Sequence, residues 1–404
     1  MNSPQRIDAV DVFRGLTMFL MLFVNDLNDP DLGHIANVPQ WLKHMPGHVD
    51  GMTFVDVIFP AFLFSVGLCI PPALTRRMEK GSSLSGAFQH IIVRSVALVF
   101  IGLGMVNTYR FHPTAMPISP GLWELLFFLA VILVWNRYPA TDGMAKSWHT
   151  GLRVAGGVLL LVLVIIYRGT DGDNVTWMRT SWWGILTMIG IAYFIAAAAY
   201  LWLKQNLAGM VGLLAVLTAL NLGDRSGALA LLDPIRPFFS AGGMLGGLPS
   251  ITVAGVVGGM LLTDESQNRQ GQVRIWHLVS LALVLALCGG LLHYPYGISK
   301  LAETPAWCLL SAAICCALFA FLYWLVDLKG VRAWASFVRP AGRQPLLAFF
   351  LPHLFYSFLA VVGITLLEHY FSAGIPGILR SLVLALILIG LTELLTRVHV
   401  VLKL

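Results

Sequence analysis

The sequence predicts an all-α protein: a polytopic transmembrane helix bundle of about twelve helices, with both termini on the cytoplasmic side. Three observations predict it. Of 404 residues, 57% are hydrophobic and only 11% are charged, whereas a soluble domain carries about 25% charged residues; too little polar surface exists to coat a water-soluble core of this size. The apolar residues fall in runs of about 20, the length a helix needs to cross a hydrocarbon layer about 30 Å thick, without the alternating segments of a β-barrel. Lys and Arg are also divided unequally: sixteen fall in the loops of one face, eight in those of the other, and Arg14 and Arg94 lie inside helices. Such a bias places the richer set of loops in the cytoplasm.

The runs lie near residues 8–25, 53–74, 86–108, 119–136, 151–168, 182–203, 207–222, 242–263, 275–293, 305–326, 345–367 and 378–396. The first is expected to be retained as a span rather than cleaved as a leader, because it carries Asp8, Asp11 and Arg14 and no small-residue cleavage site follows it. The seventh is the shortest. The Gly-rich stretch from Gly242 to Ser250 reads either as close helix packing or as a broken helix beside a cavity. Inner loops then carry Arg6, Arg76, Arg77, Lys80, Arg269, Arg339 and Arg343 among others, and outer loops carry Lys43, Arg110, Arg236 and Lys300. An odd helix count would break this agreement. The longest polar insertions are the outer loops 26–52 and 223–241, and loops of that length are often functional.

Composition excludes an ordinary soluble enzyme, a disordered chain and a secreted disulfide scaffold. The formal charge of +6 is scattered through short loops, which fits topology and gives no basic patch for nucleic acid. The five cysteines lie in apolar runs without CxxC or Cys/His spacing, so they read as buried apolar fillers, and no metal site is expected. Walker A, GxGxxG, HExxH and GxSxG signatures are missing from the sequence. Any enzyme activity must use a site built between the helices.

Candidate chemistry concentrates in the loop 26–52, which holds Asp26, Asn28, Asp29, Asp31, His34, Lys43, His44, His48 and Asp50. Just after it, Thr53 is placed to cap an incoming helix, with Asp56 in the first turn. There the helix dipole favours a carboxylate, but the edge of an apolar span makes an ionisable group costly unless paired or functional. A carboxylate beside a histidine sets its tautomer and basicity, and His44 and His48 are both within reach in sequence. Arg14 can snorkel, pair with Asp8 or Asp11, or bind an anionic phosphate through its fork. Glu124, Lys300 and Glu303 fall near outer helix ends, where hydration accounts for them, and His353 sits deeper, where a structural hydrogen bond is expected. Trp182, Trp183, Trp307 and Tyr296 read as an interfacial aromatic belt or as rings that stack on a sugar.

Several of these segments resemble a known family. Val10-Asp-Val-Phe-Arg-Gly15, Phe23-Val-Asn25, His44, Gly51-Met-Thr-Phe-Val-Asp56-Val-Ile-Phe-Pro60 and Phe62-Leu-Phe-Ser-Val-Gly67 are similar to the heparan-α-glucosaminide N-acetyltransferase family of membrane acyltransferases, and most of all to its bacterial members associated with N-acetylglucosamine utilisation. Lys300 to Trp307, Tyr323-Trp-Leu-Val-Asp327 and Gly342-Arg-Gln-Pro-Leu-Leu347 agree with it. The chain departs from the pattern at Leu186-Thr-Met-Ile189, where the family commonly carries a Gln-Arg pair.

The resemblance implies a single transmembrane acyltransferase-like domain over residues 1–404 in a bacterial inner membrane. It implies acetyl transfer from cytosolic acetyl-CoA, as co-substrate, to a glucosamine-type amino sugar on the periplasmic face. It assigns catalytic roles to Asn25, Asp56 and a loop histidine, His44 by context with His48 as its rival. Arg14, Arg339 and Arg343 are the candidate holders of the CoA phosphates, and Lys300 and Trp307 the candidate sugar contacts. The expected partners are an amino sugar or glycan fragment and the lipid bilayer, with a homodimer as the candidate assembly. The alternative reading is a transporter of an amino sugar or cell-wall fragment, in which paired broken helices and inverted repeats are often seen.

Overall fold

The computed structural model describes residues 7–29, 32–139, 144–230, 234, 240–263 and 271–403. Arg6, Asp31, Arg236 and Arg269, invoked above, lie outside them.

Each of the twelve apolar runs contains a helix. In order these are α1 (Asp8–Asn28), α2 (Val55–Glu79), α3 (Leu84–Thr108), α4 (Pro120–Trp135), α5 (Met144–Ile166), α6 (Ile185–Trp202), α7 (Leu207–Arg225), α8 (Leu248–Thr263), α9 (Gly271–Tyr296) and α10 (Pro305–Leu322), followed by a five-residue helix α11 (Arg339–Arg343), α12 (Pro345–Val362), a five-residue helix α13 (Leu366–Tyr370) and α14 (Gly374–Arg397). Among the described residues, ten helices are long and apolar enough to cross a membrane, fewer than the twelve expected. The other two runs explain the difference. Helix α4 has 16 residues and spans about 24 Å at 1.5 Å per residue, and α1 carries Asp8, Asp11, Arg14 and Asp26 along its 21 residues.

Helix ends follow local chemistry. Ser119, Asn206 and Thr304 accept N–H bonds from Leu122, Gly209 and Trp307 at the starts of α4, α7 and α10, satisfying donors that a helix start leaves orphaned. Gly363 ends α12 at φ +78°, a conformation that glycine adopts without steric cost. The runs 242–263 and 305–326 are not uniformly α-helical. The first opens with a π-helical segment, Gly242–Gly247, and the second closes with another, Tyr323–Leu328. The glycines of the first segment serve packing: a Cβ on Gly246 would lie 2.6 Å from the Leu217 carbonyl, and one on Gly247 would lie 2.5 Å from the Asn221 amide.

The chain divides into two compact units. The first comprises the residues up to Thr17, Gln40–Val99 and Ile185–Ser336. Here α2 packs along α8, α10 packs on α2, α8 and α9, and α6 and α7 flank α8. The apolar window Gly242–Leu262 is 83% buried, against 22% for Leu207–Arg225 and for Gly271–Tyr296, so α8 is the core helix and α7 and α9 turn most of their surface outward. Where α1 begins, Asp327 accepts from the N–H groups of Asp8 and Ala9 at 3.0 and 2.8 Å, and Arg332 pairs with Asp8 at 2.8 Å.

The second unit comprises Met18–Pro39, Phe100–Gly184 and Phe337–Leu404. Its α4 packs between α5 and α12, and α14 packs on α11 and α12. Two three-residue strands, β1 (Gly169–Asp171) and β2 (Asn174–Thr176), pair antiparallel in the segment joining α5 to α6. Its core is aromatic: Trp123 stacks on Phe127 at 5.1 Å and donates its indole N–H to the Leu163 carbonyl at 2.9 Å. Of the five cysteines, Cys308, Cys315 and Cys316 are buried as expected, Cys69 is half-buried, and Cys288 is exposed on α9, which corrects its reading as a core filler.

Candidate functional site: a histidine–carboxylate pair at the start of α2

The site is built from the first turn of α2 and the two loops that lie over it in the first unit. The expected cap runs in the opposite direction. The Thr53 hydroxyl donates to the Lys43 carbonyl at 2.7 Å, and it is Asp56 that reaches back, its Oδ2 accepting from the N–H groups of Thr53 at 2.9 Å and Met45 at 3.1 Å. One side chain thus fixes both the helix start and the loop that leads to it. Asp56 is fully buried, so its other oxygen also needs a donor. His44 supplies it: Nδ1 lies 2.8 Å from Oδ1. A proton on Nδ1 satisfies this contact and leaves Nε2 with its lone pair. The His44 side chain is 37% exposed, which keeps the imidazole accessible while its orienting carboxylate is sealed.

Lys300 joins the pair from the loop before α10. Its Nζ is 3.0 Å from Nδ1 and 3.2 Å from Nε2 of His44. Near-equal distances to both nitrogens set the ammonium against the face of the ring. Burial pushes the Lys300 ammonium down to about 8, opposed by the nearby charge of Asp56.

A clasp between the loops positions this lysine. The Gly51 N–H donates to the Ile298 carbonyl at 2.9 Å, and Asp50 accepts from the Ile298 N–H at 2.7 Å and contacts His293 Nε2 at 2.8 Å. The Ile298 amide, with His293 beside it, holds the exposed Asp50 carboxyl below its ordinary value. Gly51 at φ +144° and Gly297 at φ +65° provide the backbone turns this clasp requires. Beyond Lys300, Glu303 is half-buried against Gly243, and burial pushes its carboxyl up to about 7, opposed by a hydrogen bond from Ser240.

The other expected site residues are distributed as follows. His48 is exposed and makes no side-chain hydrogen bond among the described residues. Trp307 is 1% exposed, so its indole belongs to the core and offers no open face for a sugar to stack on. Arg14 bonds to Asp11 at 3.1 Å and approaches Cys69 Sγ at 3.5 Å. Cys69 lies thirteen residues beyond Asp56 on α2, about 20 Å along the axis, so Arg14 stands toward the other end of that helix. Arg339 is half-buried and Arg343 exposed at the two ends of α11, in the second unit. Asn25 is half-buried on the part of α1 assigned to that second unit.

Sequence reasoning left further polar pairs unjoined. In the second unit, Asp26 is buried and accepts from Arg380 at 3.1 Å, from Tyr356 and from Ser381. Glu124 Oε1 meets His353 Nδ1 at 2.9 Å, which gives His353 the hydrogen bond expected of it. The available signal was the cost of ionisable groups within apolar spans, which marks such residues without naming their partners.

A family model described as "Domain of unknown function (DUF5009)" matches residues 6–230, more than half of the sequence. The chain belongs to the DUF5009 family. This DUF5009 protein is also 33% identical over 155 residues to heparan-alpha-glucosaminide N-acetyltransferase of Mus musculus, a match covering 36% of the chain and 22% of the relative. The same-named protein of Homo sapiens is 33% identical over 104 residues, covering 26% of the chain and 14% of the relative. The chain therefore spans less than a quarter of either relative in these matches. Asn25, His44 and Asp56 lie within the DUF5009 match, and Lys300 and Glu303 lie beyond it.

Proposed function

We propose that this protein is a transmembrane acetyltransferase that moves an acetyl group from cytosolic acetyl-CoA to a glucosamine-type amino sugar on the periplasmic face of a bacterial inner membrane, with both of its termini cytoplasmic. The observation that carries the reading is the 2.8 Å contact between His44 Nδ1 and the sealed Asp56 carboxyl. It gives one loop histidine an oriented ring with Nε2 available to take a proton from an attacking amine. The N-acetyltransferase relatives supply the reaction class.

The residues divide the work by their chemistry. Asp56 fixes the ring and its tautomer and stabilises the imidazolium that forms, as a carboxylate does in other histidine-based sites. Lys300 brings positive charge to the same ring, where it offsets the negative charge that develops on the carbonyl oxygen. On the family pattern, Asn25 is assigned a polar contact with the reacting groups. Arg14, Arg339 and Arg343 would hold the CoA phosphates, and the exposed fork of Arg343 is suited to a bidentate phosphate contact. Acetyl-CoA, when bound, supplies an acetyl carbonyl already activated by its thiolate leaving group, so direct transfer suffices.

The test is transfer of label from acetyl-CoA to glucosamine by the purified protein. Absence of transfer and of acetyl-CoA binding, with sugar flux in proteoliposomes, would establish the transporter instead. Arg14→Ala and Arg343→Ala are each expected to weaken acetyl-CoA binding by about tenfold, the size of one lost charge-assisted contact. Equilibrium binding measures this, and unchanged affinity returns both residues to topology alone.

Lys300 sets a pH dependence. Its charge is lost as pH rises through about 8, so the transfer rate is expected to fall above that pH. Lys300→Arg, which stays charged throughout, should abolish the alkaline fall, and Lys300→Met should be slow at every pH. Rates of the three proteins across the range from about pH 6 to pH 10 decide it; a fall near pH 8 that persists in Lys300→Arg belongs to another group.

A further inference from the structure

A groove in the first unit lies apart from the histidine site. It runs between α9 and α10 with a volume of about 470 Å³, and no ionisable residue lines it. Ala282, Ala286, Ala313 and Ala317 leave the space, and Leu283 and Phe321, both exposed, flank it. Because α9 turns most of its surface outward, the groove opens toward the hydrocarbon. Hydrophobicity gives no reason to fill it there, since lipid tails are as apolar as the alanines. Close contact does: an occupant that fits gains the dispersion that a gap forfeits.

The groove has a defined length. Its lining extends from Ile275 to Ala286 on α9 and from Ala313 to Trp324 on α10, about 16 Å at 1.5 Å per residue. That is the depth of one leaflet, half of a hydrocarbon layer about 30 Å thick. A transmembrane helix of a second copy would need a seam along the whole layer. Gly271 packs on Leu328 and Gly289 on Leu310, so the two helices run antiparallel and Ile275 and Trp324 share one end.

That end carries a cation. The chain closes α10 with the π-helical turn Tyr323–Leu328, a conformation frequent at functional sites. Across it the Lys329 N–H donates to the Trp324 carbonyl at 2.9 Å. The Lys329 ammonium returns over the Trp324 ring, 5.8 Å from its centroid. Lys329 is exposed and forms no salt bridge among the described residues. Trp324 and, on α9, Trp276 are exposed at this end, as tryptophans are at the level of lipid headgroups. An apolar slot one leaflet deep, with a free cation at its headgroup end, matches a lipid that carries an acyl chain and a negative charge.

We propose that this groove binds one anionic phospholipid, an acyl chain lying against the alanines and the phosphate on Lys329. No residue of the histidine site contributes to it.

The test is native mass spectrometry of the full-length protein in detergent, titrated with phosphatidylglycerol or with phosphatidylcholine of the same acyl chains. The wild type should bind one phosphatidylglycerol about fivefold more tightly than phosphatidylcholine, the effect of one lysine at an anionic lipid surface. Lys329→Gln should remove that preference. Ala317→Leu, which fills the groove, should weaken both lipids by about 3- to 10-fold. Lys329 and Ala317 are both exposed, so melting temperatures in lipid-free detergent should match the wild type, which separates lipid contact from folding. Lys80→Gln, which removes an exposed cation at the end of α2, should change neither affinity. Equal affinity of the wild type for the two lipids, or phosphatidylglycerol binding unchanged in Lys329→Gln or in Ala317→Leu, would overturn the inference. Dimers that Ala317→Leu dissociates without altering lipid binding would assign the groove to a second copy of the chain instead.

Discussion

His44→Ala is expected to reduce acetyl transfer by about 10²- to 10⁴-fold, the contribution of a positioned general base, while acetyl-CoA binding stays within about twofold. At about 10³-fold the loss corresponds to about 4 kcal/mol of transition-state stabilisation. His48→Ala should change the rate by less than about twofold, because His48 is exposed and makes no side-chain hydrogen bond among the described residues. Asp56→Asn should approach the His44→Ala loss by a different route. An amide can donate to Nδ1 where the carboxyl accepts from it, which favours the tautomer with its proton on Nε2 and removes the base. Steady-state transfer rates alongside acetyl-CoA binding distinguish these cases. Full activity in His44→Ala, or its loss in His48→Ala, would reject the assignment.

The reason to expect so large an effect is the asymmetry of burial. Asp56 is sealed and bonded on both oxygens, so it cannot take part in exchange with solvent or substrate directly. Its influence must pass through the one side chain it holds that remains open, and that is His44. Lys300 on the ring face adds a charge that a purely structural pair would not need.

The extent of this site that could be read in the sequence follows from how each contact is encoded. Helices were legible because a 20-residue apolar run has one physical solution in a bilayer. Asp56 and His44 were legible because both belong to one short stretch with Thr53 between them. The contacts that complete the site pair residues far apart in the chain: 256 positions separate Lys300 from His44 and 243 separate His293 from Asp50. In the second unit, 354 positions separate Arg380 from Asp26 and 229 separate His353 from Glu124. Helical periodicity reports which face of a helix is apolar but not which helix lies against it, so Lys300 and Glu124 read as hydrated helix ends. Trp307 read as an available aromatic for the same reason. Its place in the first turn of α10 suggests an interface, and only the packing of α10 on α2, α8 and α9 buries it.

The packing of α2 on α8 leaves no room for a side chain at the glycines where the two helices meet. Gly67→Ala is expected to destabilise the protein by more than about 4 kcal/mol, beyond the usual range for a single substitution, and Gly255→Ala by a similar amount. Between these helices the backbones themselves touch. A Cβ on Gly67 would overlap the Thr252 carbonyl and lie 2.9 Å from Gly255 Cα, and a Cβ on Gly255 would overlap the Phe64 carbonyl. Neither obstacle is a flexible side chain that could rotate away, so one methyl group forces the helices apart. Transmembrane helices gain no hydrophobic advantage from association in lipid and rely on such close contact, and α8 is the core helix of its unit. Asp56 lies about three turns from Gly67 on the same helix, so separation of α2 from α8 also disturbs the frame that holds Asp56 beneath His44. Thermal unfolding of the purified variants, followed by the fraction remaining monodisperse, measures the loss. Gly290→Ala on α9 is the control: a Cβ there meets nothing within 4 Å, and the higher helix propensity of alanine makes this variant neutral or slightly more stable. Equal melting temperatures for Gly67→Ala and Gly290→Ala would show that α2 and α8 do not cross at this pair of glycines.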